Sequence, residues 1–200
     1  MVREGIPFIA VPAFLALGAT IFQLWWLAVI LLLVAAFMMY FFRDPERTAP
    51  AGEGLVLSAA DGRVTRIEET PAGKIVCVFL SPLDVHINRS PITGTVSDVV
   101  YTAGKKMPAT NDAASMLNER NSLIIKGDKL TVTCTQIAGI LARRIVCWSK
   151  SGDQLLMGQK FGLIKFSSRT DLLMPTEVNV EVKVGDRVRG GETVIARLRT

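Results

Sequence analysis

Two short stretches carry the residues of this chain that could do acid–base and nucleophilic chemistry. Pro82-Leu83-Asp84-Val85-His86-Ile87-Asn88-Arg89-Ser90-Pro91 holds the one histidine among 200 residues. Phe161-Gly162-Leu163-Ile164-Lys165-Phe166-Ser167-Ser168-Arg169-Thr170-Asp171 holds a serine pair at the end of an apolar run. Imidazole is the one side chain whose unperturbed pKa lies near neutrality, so His86 is the first candidate for proton transfer. A serine hydroxyl becomes a nucleophile beside such a base, and Ser168 is the serine to pair with it. Asp61 precedes Gly62; taken alone, such a pair is as readily a turn as an orienting carboxylate.

The elements that must position these residues are short strands. After a Pro-, Gly- and charge-rich linker at 43–54, β-branched runs alternate with turn signals from Leu55 onward. The candidates are 55–59, 63–68, 74–80, 95–100, 122–126, 129–135, 144–149, 161–166, 178–182 and 193–198. Helical turns are expected only at 111–118 and 136–141. The expected fold is an all-β barrel or sandwich catalytic domain over residues 55–200. Val178–Leu198 looks like half of a lipoyl- or biotinyl-type hairpin module. No lysine sits at a hairpin tip in a Met-Lys-Met-like setting, which disfavours a swinging-arm carrier.

Ahead of this domain lies a hydrophobic helical membrane anchor over residues 1–42. Residues 6–42 carry no charge, and Gln23 is their one amide. The run exceeds one bilayer crossing of roughly 20 residues. Gly18 and the Thr20–Gln23 stretch divide it into 8–21, short for a crossing, and 24–42, long enough to span. It reads either as a helical hairpin or as one span preceded by an interfacial helix. Arg3 before the run, and Arg43 and Arg47 after it, favour both ends on the cytoplasmic side. Trp25 and Trp26 would then sit near the outer interface. A cleaved signal peptide is disfavoured by the length of the run.

The net charge is +5. The basic residues are scattered, without an aromatic–basic surface motif, so anionic lipid rather than nucleic acid is the expected partner. Cys77, Cys134 and Cys147 lack CxxC spacing and read as reduced, buried thiols. No metal site is expected.

Further segments extend the pattern: Phe41-Phe42-Arg43-Asp44-Pro45-Glu46-Arg47, Ser58-Ala59-Ala60-Asp61-Gly62-Arg63-Val64, Asn118-Glu119-Arg120-Asn121 and Gln136-Ile137-Ala138-Gly139-Ile140-Leu141-Ala142-Arg143-Arg144. With the His86 and Ser168 stretches, they resemble in kind and order the motifs of phosphatidylserine decarboxylases of the short bacterial and archaeal type, over nearly all of 41–200. The resemblance implies a proenzyme that makes its own cofactor. Ser168 would attack the preceding carbonyl, and cleavage between 167 and 168 would leave a pyruvoyl group derived from Ser168. That ketone would act as electron sink through a Schiff base with the lipid amine. His86 would be the base of cleavage and the proton donor in decarboxylation, and Asp61 would orient it. The substrate would be phosphatidylserine and the product phosphatidylethanolamine, at the cell membrane.

One departure matters. The family has glycine where this chain has Ser167, and a side chain there could obstruct attack on a bent peptide. The expectation is an uncleaved precursor trapped by an introduced substitution. The alternatives are a natural variant that processes slowly and one that uses Ser167 itself. A second departure is Arg89, where longer bacterial relatives tend to have histidine. For the substrate the candidates are Asn88 and, toward the phosphate, Arg89, Arg143, Arg144 and Arg169. A homodimer fits exposed β edges. Two other classes compete: a membrane-anchored serine hydrolase, disfavoured by the missing Gly-x-Ser-x-Gly elbow, and a non-enzymatic lipoyl-like membrane adaptor.

Overall fold

The structure, a computed structural model, describes residues 1–105, 107–108, 117–140, 144–166 and 168–199. The chain divides into two compact units, Met1–Glu46 and Arg47–Thr200.

In the first unit a short 3₁₀ turn, Arg3–Gly5, leads into α1 (Ile6–Ile21), and α2 (Trp25–Phe41) follows. Pro7 is tolerated because the first helical turn lacks an intrahelical acceptor for its missing N–H. Gln23 ends α1 at a φ of 60°. Its N–H donates to the Thr20 carbonyl at 3.0 Å and that of Leu24 to Ala19 at 2.8 Å. This is a Schellman closure without glycine. The chain then doubles back: the Val2 N–H donates to the Phe42 carbonyl at 3.2 Å, and the Phe8 and Phe42 rings lie 5.4 Å apart. The two apolar segments therefore form a helical hairpin. Arg3–Ile21, at 19 residues, is long and apolar enough to cross a membrane, whereas Trp25–Phe41 is shorter. This reverses the relative lengths expected from sequence, because the first helix starts at Arg3, ahead of the apolar run. Both helices leave large apolar side chains exposed, among them Phe14, Trp26 and Leu33.

The second unit is mostly β-strand. Its eight-stranded antiparallel sheet runs in the order β13 (Arg187–Val188), β2 (Gly62–Thr70), β3 (Gly73–Leu80), β11 (Ser168–Met174), β7 (Thr131–Ala138), β6 (Arg120–Lys126), β5 (Gly94–Thr102) and β9 (Gln154–Leu155). A three-stranded sheet joins β4 (Ile87–Arg89), β10 (Lys160–Lys165) and β8 (Arg144–Cys147). Another joins β1 (Leu55–Leu57), β14 (Val194–Leu198) and β12 (Val178–Val180). Within Val178–Leu198, β12 pairs with β14 while β13, between them, pairs with β2.

Alternation explains the core. Val76 and Val78 on β3, Leu172 and Met174 on β11, Val132 and Cys134 on β7, and Leu123 and Ile125 on β6 turn to one face and pack together. Each such side chain contributes about 1.5–3 kcal/mol on burial.

The short strands β4, β9 and β13 lie outside the sequence candidates, and two further differences bear on the site. Residues 168–174 form a central strand, β11, between β3 and β7. The run Ser-Arg-Thr-Asp hid it, because central strands usually read as apolar; here Arg169, Thr170 and Asp171 are paired inside. Residues 136–138 continue β7 rather than starting a helix, since Gln136 is in register with Thr170 and Asn121. Of the helical turn expected at 111–118, residues 111–116 lie outside the described residues.

All three thiols are free, with Cys77 and Cys134 buried and Cys147 half-buried. Burial, with Asp171 adding to it, pushes the Cys77 thiol up to about 12. Burial raises Cys134 and Cys147 as well. Thiolate is the reactive form, so iodoacetamide at pH 8 is expected to leave Cys77 and Cys134 unmodified in folded protein. All three should alkylate after denaturation, read by peptide mass.

Candidate active site

His86 is placed by a tight turn after β3. The Ser81 N–H donates to Asp84 Oδ2 at 2.8 Å, and the Asp84 N–H donates back to the Ser81 carbonyl at 2.9 Å. The chain then enters β4, where the Ile164 N–H of β10 donates to the His86 carbonyl at 3.2 Å. The imidazole is 2% exposed, and its Nδ1 lies 3.0 Å from the Asp84 carbonyl oxygen. A carbonyl can only accept, so Nδ1 carries the proton. In the neutral ring the lone pair is then on Nε2. That is the tautomer a base acting through Nε2 requires.

Ser168 opens β11, in register with Leu80 of β3 and Ala138 of β7. It is fully buried, and among the described residues its Oγ has no hydrogen-bond partner. A buried hydroxyl without a partner costs about 1–3 kcal/mol, so it marks a site kept for something other than stability. Two residues earlier Phe166 has a φ of 66°. A non-glycine residue in that region stores strain, here beside the Ser167–Ser168 bond. Ser167 itself, like Arg143, lies outside the described residues.

The two stretches are joined directly. Asn88, two residues after His86, donates through Nδ2 to Thr170 Oγ1, two residues after Ser168, at 3.0 Å. The segment bearing Asp61 runs alongside: the Arg89 N–H donates to the Ala59 carbonyl at 2.9 Å.

Asp61 stands at the entry to β2 with both oxygens engaged. Oδ2 accepts from the Arg47 guanidinium at 2.7 Å, and Oδ1 accepts from the Gly190 N–H at 2.8 Å. Arg47 also donates to Glu192 Oε2 at 2.8 Å. The sequence placed Arg47 as a charge after the apolar run and as the end of the Phe41–Arg47 segment; its spacing from Asp61 and Glu192 gave no signal. Arg47 is 9% exposed in its side chain and bridges two carboxylates. Arg47→Met is expected to destabilise the fold by about 2 kcal/mol, less than the cost of stranding a fully buried charge because Asp61 and Glu192 are only half-buried, measured by urea unfolding.

The arginine candidates separate. Arg169 is 3% exposed, and its guanidinium forms a two-pronged pair with Asp171 at 2.8 and 3.0 Å. Arg89 is buried and donates to the Gly158 carbonyl at 3.1 Å. Arg144, at the start of β8, is exposed. Among the described residues, no three His, Cys, Asp or Glu side chains are grouped as metal ligands.

Residues 34–196 match the family model described as phosphatidylserine decarboxylase. A phosphatidylserine decarboxylase proenzyme of Symbiobacterium thermophilum is 45% identical over 204 residues, covering 98% of this chain and 94% of the relative. Proenzymes of the same name from Geobacter metallireducens and Syntrophus aciditrophicus are 42% and 41% identical, over 98% and 96% of this chain and 95% and 94% of their own lengths. The chain belongs to the phosphatidylserine decarboxylase family. It is an enzyme, a decarboxylase, and the family's relatives named above are proenzymes. His86 precedes β4 and Ser168 opens β11, a strand of another sheet, with Phe166 at a positive φ two residues before that serine.

Proposed function

We propose that this chain is a membrane-attached proenzyme that cleaves itself between residues 167 and 168 and then decarboxylates phosphatidylserine to phosphatidylethanolamine. The observation that carries the reading is the enclosed Ser168 Oγ, without a hydrogen-bond partner among the described residues, at the start of a central strand. In the maturation step Ser168 Oγ attacks the carbonyl carbon of residue 167 while His86 takes its proton through Nε2. The peptide becomes an ester. Elimination then frees the carboxylate of residue 167, and hydrolysis with loss of ammonia leaves the pyruvoyl group at 168.

The site fits that group, because the pyruvoyl would derive from Ser168, a side chain already fully buried in the fold. When formed, its ketone supplies the electron sink for loss of carbon dioxide from an amine-bearing substrate. His86 returns a proton to the substrate carbon, and Asp61 stabilises the charged imidazole. Burial strengthens both electrostatic effects.

Arg144 is favoured for the lipid phosphate, because its side chain is exposed, whereas Arg169 and Arg89 are committed to internal partners. Asn88 is assigned to the scaffold rather than the head group, because both ends of its amide are bonded inside the domain. Arg143 stays a candidate from sequence alone.

The apolar helical hairpin is assigned as the membrane anchor, with both ends and the catalytic domain on the cytoplasmic side. Substrate logic supports the anchor, since the scissile carboxylate lies at the lipid–water interface. The domain division is 1–42 anchor, 43–54 linker and 55–200 catalytic, with a lipoyl-like arrangement assigned to the 178–198 strands. A homodimer through an exposed sheet edge is part of the reading. Vesicles of phosphatidylserine test it. Mature protein should release carbon dioxide and accumulate phosphatidylethanolamine, and borohydride reduction of the ketone should stop both. Activity that survives reduction would exclude the pyruvoyl mechanism.

A further inference from the structure

Four of the motifs that stand apart in the sequence meet in one hydrogen-bonded chain of buried side chains. Asn121 on β6 donates through Nδ2 to Gln136 Oε1 on β7 at 3.0 Å. Gln136 donates through Nε2 to Asn88 Oδ1 on β4 at 2.9 Å. Asn88 donates through Nδ2 to Thr170 Oγ1 on β11 at 3.0 Å and, more weakly, to the Ala59 carbonyl at 3.4 Å. All four residues are at most 4% exposed.

The chain has a direction. Each primary amide has a donor end and an acceptor end, and swapping the two ends of one would set donor against donor at the next. With Gln136 Nε2 on Asn88 Oδ1, the Asn88 amide must present its NH₂ group to Thr170. Neither rotation nor reversal of one member is free, because each buried amide end left without a partner costs about 1–3 kcal/mol. A fully satisfied buried network is rigid for that reason.

Its position gives the rigidity a use. The short strand β4 carries His86 immediately before it and Asn88 within it; β11 carries Ser168 and Thr170. These two strands belong to different sheets, so no backbone ladder sets the distance between them. The Asn88–Thr170 bond is a side-chain tie between them, and Gln136 fixes which way Asn88 faces. We propose that Gln136 and Thr170 are positioning residues for the reaction at Ser168: with Asn88 between them, they set where His86 stands relative to the serine. The proposal rests on the reading above that His86 and Ser168 are reaction partners. It also gives the relay a second duty, since Thr170 would lie on the small piece after cleavage and the other three members on the large one.

The test is a set of variants of the full-length Ser167→Gly protein, with self-cleavage followed by intact mass and folding by thermal melting. Thr170→Val keeps shape and removes the acceptor. It is expected to slow cleavage at least about tenfold in protein that still unfolds cooperatively, its melting temperature a few degrees lower because Asn88 Nδ2 loses its better acceptor, and Thr170→Ser is expected to restore the rate to within about threefold. Gln136→Leu should slow cleavage similarly. Asn88→Ala with Thr170→Val should be no slower than the worse single variant, because both break one tie. Parental rates for Thr170→Val and Gln136→Leu, or losses that multiply in the double variant, would overturn the proposal.

Failure of the underlying reading looks different: His86→Gln would then cleave at the parental rate, and the positioning role would fall with it. A readout free of cleavage comes from the single histidine, whose ring gives one pair of ¹⁵N signals in the uncut chain. Thr170→Val should move them and Thr170→Ser should not; signals unchanged in Thr170→Val would overturn the proposal.

Discussion

A Ser167→Gly protein is expected to split after residue 167, giving pieces 1–167 and 168–200, the second with a blocked N-terminus, while the parent chain stays whole or splits far more slowly. The attack of Ser168 on the preceding carbonyl requires that peptide to leave the broad β region and bend toward the hydroxyl. Phe166 already stands at a φ of 66° two residues before Ser168, so the backbone approaches the bond under strain. Glycine at 167 reaches such conformations without the Cβ clash that serine meets. A sparsely populated conformation costs a non-glycine residue about 1–3 kcal/mol. At 1.36 kcal/mol per tenfold in rate, that converts to about fivefold to 160-fold. Intact-mass spectra of both proteins over hours to days, with and without lipid, read it directly. Equal rates in the two proteins would show that residue 167 does not limit maturation. An intact Ser167→Gly chain under every pH and lipid condition would remove the maturation mechanism altogether.

The second large effect is at His86. His86→Gln in the Ser167→Gly background should slow self-cleavage by about 10²–10⁴-fold, the range a positioned general base supplies. Glutamine keeps a polar side chain in the buried site but cannot take the proton from Ser168. Because the chain holds one histidine, no neighbouring imidazole can substitute. The loss should be in rate, with thermal unfolding little changed, since the contact of Nδ1 with the Asp84 carbonyl is one bond at the end of a turn. Cleavage at the parental rate would place the base elsewhere and leave His86 as a structural residue.

Arg47, Gln136 and Thr170 show where sequence reading stopped. Arg47 was legible as a positive charge after an apolar run. That it bridges Asp61 and Glu192 depends on a contact across 145 positions, and no local pattern encodes such a contact. Gln136 looked like the start of a helical turn, because a glutamine amid apolar residues carries no period-two signal. Its ladder partners, on β11 and β6, are what hold it in a strand. Thr170 was one polar residue among four.

What the sequence by itself determined was of two kinds. Local physics set most strands of the catalytic unit and both apolar helices, because alternation and turn residues act within a few positions. Chemistry set the candidates, because one histidine and an ordered set of motifs leave few choices. The tertiary structure decided the rest. It made 168–174 a central strand, because its backbone pairs with β3 and β7, Thr170 finds a partner on β4, and Arg169 and Asp171 neutralise each other inside. It took Arg169 out of solvent and paired it with Asp171, so a residue that read as a phosphate binder became part of the interior. It also tied the strand after His86 to the strand of Ser168 through Asn88 and Thr170, which lie 82 positions apart. Side-chain hydrogen bonds between distant strands depend on register and burial together, and those exist only once the sheets have formed.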